Sequence, residues 1–145
     1  MSNKDTKSIK FEEEINDLTN RLKRALADYQ NLEKRVLEDK ADFVKFANGN
    51  LLLKILPGLD SLEKARMHLK DEGLVLAIKQ IETALGSEGL EKIETKDQSF
   101  NPETMECLEV AEGEDGQVLE EIRSGYKLNG RVLRVAQVKV GKKLN

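Results

Sequence analysis

FEEEINDLTNRLKRALADYQNLEKRV, residues 11–36, sets apolar side chains at Phe11, Ile15, Leu18, Leu22, Ala25, Tyr29, Leu32 and Val36. The steps alternate between four and three, which is the seam of a helix packed lengthwise on another helix. Glu, Asp, Lys, Arg, Asn and Gln fill most of the positions between, so the opposite face suits water. No later helical stretch is long enough to cover this stripe. A second copy of the same helix is the economical cover, because an exposed seam of that length is an aggregation liability.

Composition agrees with a long solvated helix. Of the 145 residues, 35% are charged and 39% hydrophobic, with no Trp, which is thin for a compact globule of this size. A net charge of −3 gives no electrostatic reason to expect a nucleic-acid partner. The single Cys107 excludes an intrachain disulfide framework and fits a reducing compartment. Without a flanking His or Lys to lower its pKa, it reads as a small, half-buried hydrophobe. His68 is equally alone and reads as a surface or helix-end residue, so no metal site is expected. The stretch MSNKDTKSIKFEEE lacks the apolar core of a signal peptide, and no run approaches the ~18–20 apolar residues of a membrane span. The expectation is a soluble, cytoplasmic protein with no membrane contact.

In chain order, residues 1–8 are expected to form a disordered tail, with Ser8 as helix N-cap and Glu12, Glu13 and Glu14 favouring the first turns. Residues 9–56 read as one dimerising helix, a rod of roughly 70 Å. After Val36 the seam lapses; it resumes at Phe43 and widens through Phe46, Ala47, Leu51, Leu52, Ile55 and Leu56. Asn48-Gly49-Asn50 is a weak point, since Gly costs ~1 kcal/mol relative to Ala in a helix. Pro57 is expected to kink or break the helix. Residues 57–89 carry two short amphipathic helices, the first marked by Leu59, Leu62, Ala65 and Leu69. The second is marked by Leu74, Ile78, Ile81 and Leu85, with Gly86 as its C′ residue. Residues 90–99 read as a polar connector.

Residues 100–145 change character. Met105–Val110, Val118–Arg123 and Arg131–Val140 are strand-like, separated by turns at Glu114-Asp115-Gly116 and Leu128-Asn129-Gly130. The fold class is therefore α+β: a long N-terminal helix paired in a homodimer, a four-helix bundle from the short helices, and a small C-terminal antiparallel β domain. Ile15, Leu18, Leu22, Tyr29 and Leu32 would dimerise the shaft, and Leu59, Leu62, Ile78 and Ile81 the bundle.

No Gly-rich phosphate loop, nucleophile elbow, Cys/His pair or metal-ligand spacing is present, so the chain does not read as an enzyme and no cofactor is expected. Charge is sorted along the β domain. Glu103, Glu106, Glu109, Glu112, Glu114, Asp115, Glu120 and Glu121 come first; Lys127, Arg131, Arg134, Lys139, Lys142 and Lys143 follow. Either the acidic and basic strands pair with each other, or Arg131, beside its Asn-Gly turn, docks on a partner carboxylate.

Phe100-Asn101-Pro102-Glu103-Thr104-Met105, then GYKLNGRVLRVAQVKV from Gly125 to Val140, closely resemble the GrpE family, nucleotide exchange factors of DnaK-type heat-shock chaperones. LPGLDSLEKA, Leu56 to Ala65, resembles that family's entry to the bundle, and Tyr29-Gln30-Asn31-Leu32 a motif of its long helix. Cys107 stands where Ala is usual, Val135 where Pro is common, and Glu33 where many members are basic. The resemblance implies a parallel dimer whose β domain holds the chaperone's nucleotide-binding domain open so that ADP leaves, with no nucleotide site of its own. It implies chaperone contacts at Arg131, Val140 and Lys34, with Pro102 and Met105 in the Phe-Asn-Pro motif, and a link between the long helices and temperature sensing. The rival readings are a transcript-cleavage factor of the Gre type, whose rod is a helical hairpin within one chain, and a plain coiled-coil scaffold. Sedimentation at micromolar concentration should give a dimer; a monomer would remove the paired-helix reading.

Overall fold

The computed structural model describes residues 3–143, with side chains from residue 5 onward. The chain divides into two units, Met1–Val44 and Lys45–Asn145. Helix α1 (Asn3–Phe46) has 44 residues and supplies the first unit. It begins at Asn3, ahead of the expected cap at Ser8, while residues 1 and 2 of the expected tail lie outside the described residues. Asp17 and Arg21 pair at 2.9 Å across one turn, the acid N-terminal to the base as the helix dipole favours. The seam is open in the single chain, with Ile15 63% and Leu22 60% exposed.

Helix α1 stops at Phe46, and a turn at Ala47-Asn48 leads into α2 (Gly49–His68). The break expected at Pro57 therefore falls earlier, at the Asn48-Gly49-Asn50 weak point, and Pro57 lies inside α2. Proline removes the donor that would bond the Leu53 carbonyl, but Leu53 is exposed and water can replace that donor. Around Pro57, Leu52, Leu56 and Leu59 are buried in the core, and that packing holds the helix through the proline. His68 is the last residue of α2 and is exposed.

Helix α3 (Glu72–Ser87) starts where the Asp71 carboxylate accepts the Leu74 N–H at 2.9 Å, a side-chain N-cap. It outlasts Gly86. The left-handed residue after it is Gly89, φ +87°, where any other L-residue would be strained.

Among the described residues, six strands form two three-stranded sheets. One has the order β1 (Leu90–Lys92), β4 (Tyr126–Leu128), β5 (Arg131–Arg134), all antiparallel. The other has the order β2 (Met105–Glu112), β6 (Ala136–Lys142), β3 (Val118–Arg123). Three features depart from the sequence reading. Strand β1 lies in the expected connector, too short to show a period. The run from Arg131 to Val140 is two strands in different sheets, split at Val135. And β2 runs parallel to β6, so the domain is not wholly antiparallel.

The first core joins α2 and α3 to the first sheet: Leu52, Leu56, Leu59 and Ile78 meet Leu90, Tyr126 and Leu128. The second, Met105, Val118, Ala136, Val138 and Val140 with Phe100 against them, lines the second sheet.

The chain passes between the sheets three times, after β1, at Ser124-Gly125 and at Val135, and Arg134 holds the last two crossings. Its guanidinium donates to the Ser124 carbonyl at 3.1 and 2.8 Å. It also forks onto both oxygens of Asp60 in α2, each at 2.7 Å. The Arg134 side chain is only 9% exposed and Asp60 20%, so removing one partner strands a largely dehydrated charge. Asp60→Ala should therefore destabilise the chain by about 3 kcal/mol, read by denaturant unfolding with a probe in the β domain. Asp60→Asn, which retains one acceptor, should cost less.

Candidate partner-binding surface

The β4–β5 hairpin turns through Asn129 (φ 47°) and Gly130 (φ 82°), both left-handed as a two-residue type I′ turn requires. Two hydrogen bonds seat it. The Asn129 N–H donates to the Gly89 carbonyl at 2.9 Å. Its side-chain Nδ2 donates to the Lys45 carbonyl, in the last turn of α1, at 2.8 Å. Lys45 and Phe46 belong to the second unit, so this seat lies wholly within it.

Arg131 follows the turn. It is exposed, and its guanidinium lies 4.0 Å over the centre of the Phe46 ring. Such a cation–π contact contributes about 0.5–1 kcal/mol at an exposed site and leaves the guanidinium's in-plane donors available. Among the described residues no carboxylate is ion-paired with it. Some of the other sorted charges are used internally: Lys139 bridges Glu109 at 3.1 Å and Glu120 at 3.2 Å, pairing the basic strand with its acidic neighbours on both sides. The strand-pairing reading of the charge sorting thus holds for Lys139, while Arg131 takes no part in it.

The other sequence-derived positions separate. Pro102 is exposed in the turn before β2. Met105 and Val140 are 5% and 9% exposed and belong to the second core, so their side chains fill the domain rather than face a partner. The alternation along β6 that marks Val140 as strand also turns it inward. Lys34 is exposed on α1, in the first unit, 4.0 Å from Glu38. Of the positions assigned to dimerisation, Ile15, Leu18, Leu22, Tyr29 and Leu32 are exposed. Leu59 and Ile78 are buried in the chain's own core, and Leu62 and Ile81 pack against it. They are taken up by the first sheet, whose β1 edge was not foreseen. The apolar residues left open on α2 and α3 are instead Leu51, Ile55, Val75 and Leu76 among others. Cys107, expected to be half-buried, is exposed on β2 beside a register shift, its thiol toward the Glu109 carbonyl.

A polar node braces the strap that follows β1. Burial pushes the Glu121 carboxyl up, but hydrogen bonds from Thr95, Ser124 and Lys92 outweigh it and hold the group below the usual carboxylate range. Burial pushes the Lys92 ammonium down, and the Glu121 carboxylate more than offsets this and raises it. The adjoining groove, about 460 Å³ and lined by Lys92, Thr95 and Glu121 among others, has its central polar groups paired with one another. Among the described residues no group of His, Cys, Asp and Glu is placed to hold a metal ion, and no helix is long and apolar enough to cross a membrane.

Comparison with known proteins covers almost the whole chain. The GrpE family model matches residues 1–142. A protein from Methanosphaera stadtmanae named Protein GrpE is 39% identical over 137 residues, spanning 90% of this chain and 79% of its own length. Its namesake from Halalkalibacterium halodurans is 37% identical over 134 residues, 85% of this chain and 69% of its own. The Protein GrpE of Pseudomonas putida is 36% identical over 150 residues, 95% of this chain and 81% of its own.

The Glu121 node carries a pH dependence of definite sign. A carboxyl whose folded pKa is depressed contributes stability that is complete above its unfolded value near 4.5 and lost as pH falls through the lower folded value. Acid titration of stability should show this loss below about pH 4.5. Glu121→Gln should flatten that limb while lowering stability at neutral pH.

Proposed function

This chain belongs to the GrpE family, the nucleotide exchange factors of DnaK-type chaperones, and from that premise we propose that it opens the nucleotide cleft of such a chaperone and so releases ADP. The observation that carries the reading is Arg131. It is an exposed guanidinium beside a hairpin tip, without an ion pair of its own among the described residues, at the Asn-Gly-Arg position that matches the family's chaperone contact. Arginine suits this role because its planar fork grips a carboxylate through two parallel hydrogen bonds. Pro102 on the exposed turn and Lys34 on the long helix are further contacts in this reading. Met105 and Val140 act by shaping the domain beneath.

The mechanism is linkage rather than chemistry. A factor that prefers the open cleft weakens ADP binding by the same ratio by which ADP weakens the factor's binding. Accelerating release ~10³-fold needs only ~4 kcal/mol of preference for the release transition state over the closed state. No general acid, nucleophile or bound cofactor is required.

In this reading the chain acts as a homodimer in the cytoplasm. The open seam of α1 and the open apolar residues Leu51, Ile55, Val75 and Leu76 of α2 and α3 support pairing along both helical stretches. Eight seam residues at ~1.5–3 kcal/mol each when buried work against backbone ordering of ~1–2 kcal/mol per residue. A two-stranded shaft has no deeper core to widen that margin. It is therefore expected to melt before the β domain, which would let temperature regulate exchange. A spectroscopic melt should resolve a helical transition below that of a β-domain probe.

The test of the central proposal is release of fluorescent ADP from a DnaK-type chaperone. The chain should accelerate it, and Arg131→Ala should raise the half-saturating concentration about tenfold or more, as loss of a charge-assisted contact implies, with sedimentation unchanged. Wild-type behaviour of Arg131→Ala would remove Arg131 from the contact.

A further inference from the structure

The hairpin that presents Arg131 is short, three residues in β4 and four in β5. Pairing of β4 with β1 and burial of Leu128 hold the body of the hairpin, and Asn129 adds a direct hold on its tip. Its backbone N–H reaches Gly89 at 2.9 Å and its amide Nδ2 reaches the Lys45 carbonyl at 2.8 Å.

The Lys45 carbonyl is one of the last four of α1, which have no partner within the helix and carry the negative end of its dipole. Such a group accepts from an amide and repels a carboxylate. The other side of the seat is equally particular. Gly89 has φ +87°, and a Cβ at that position would collide with the Asn129 amide, so the turn fits closely against the exit from α3. One residue beyond Lys45 is Phe46, and two beyond Asn129 is Arg131, whose guanidinium lies 4.0 Å over that ring. Hairpin and helix end are thus joined by a hydrogen bond and a stacked cation side by side.

We propose that Asn129 is a positioning residue for the chaperone contact: its amide pins the β4–β5 hairpin to the last turn of α1, and thereby fixes where Arg131 presents its guanidinium. The inference rests on the reading of Arg131 as a contact. An unpinned hairpin loses conformational freedom when it docks, and that loss weakens binding without altering how far the cleft is opened.

The turn type makes the idea separable from folding, because type I′ positions accept Asn, Asp and Gly alike. Asn129→Gly keeps the turn and deletes the donor. Asn129→Asp keeps the side-chain shape and sets an acceptor against the carbonyl. Each would be made in the full chain, alone and with Arg131→Ala, and titrated into a DnaK-type chaperone loaded with fluorescent ADP. Helical circular dichroism and sedimentation would be recorded for every variant. Both single variants should raise the half-saturating concentration about fivefold, the worth of one hydrogen bond, with the maximal release rate unchanged. In the Arg131→Ala background neither should have a further effect.

Wild-type titration of both Asn129 variants beside a weakened Arg131→Ala would overturn the positioning role and leave the Arg131 contact standing. Equal losses with and without Arg131, or unfolding of both variants, would overturn it in favour of a purely structural role. A silent Arg131→Ala would overturn the underlying contact instead.

Discussion

Everything after α1 depends on how one buried cation is satisfied. Arg134 lies at 9% exposure where the dehydrated charge would be costly without partners. It finds the Asp60 carboxylate on α2 and the Ser124 carbonyl between β3 and β4. Because those partners come from different elements, the requirement to satisfy one guanidinium fixes α2 against β5 and brings two of the three crossings between sheets together. The Tyr126 ring, 5.5 Å from the same guanidinium, closes the node on its apolar side. Hydrophobic burial in the two cores supplies most of the driving force, but it is non-directional, and the fork gives the assembly its geometry.

The two arginines of β5 illustrate how position divides structure from function. Arg131 and Arg134 are three residues apart in one short strand, yet one is exposed over an aromatic ring and the other is enclosed by its own acid. The buried one holds the domain together, and the exposed one is the partner contact proposed above. Asn129 stands beside them as the piece that relates the exposed arginine to the helix end. For the proposed exchange role, placement of such a contact matters more than reactivity, because only differential contact with two states of a partner can shift its equilibrium.

The helical half shows tertiary packing overriding local propensity. Pro57 is the stronger helix breaker by intrinsic cost and Asn48-Gly49 the weaker. Yet the helix breaks at the weaker signal, because Leu52, Leu56 and Leu59 are anchored in the core on both sides of the proline. Asn129 meanwhile offers α1 a donor at its end. The same core accounts for Leu59 and Ile78, whose helical spacing marked them as buried without revealing what buries them. Strand β1 supplies part of the answer, and three residues with one inward side chain leave no pattern to read.

Periodicity and turn chemistry were enough to indicate a long N-terminal helix, two shorter helices after it, the strands β2 and β3 and the Asn-Gly hairpin. Each of these is local: a repeat of 3.6 or 2, a cap, or a residue that tolerates positive φ, all written in neighbouring residues. What only the tertiary structure decided is non-local. It split Arg131–Val140 between two sheets, set β2 parallel to β6, turned Met105 and Val140 inward, and gave Arg134 to Asp60 while leaving Arg131 open. Those outcomes depend on which distant groups meet, and a charge or an apolar side chain carries no mark of its partner until the chain has closed around it.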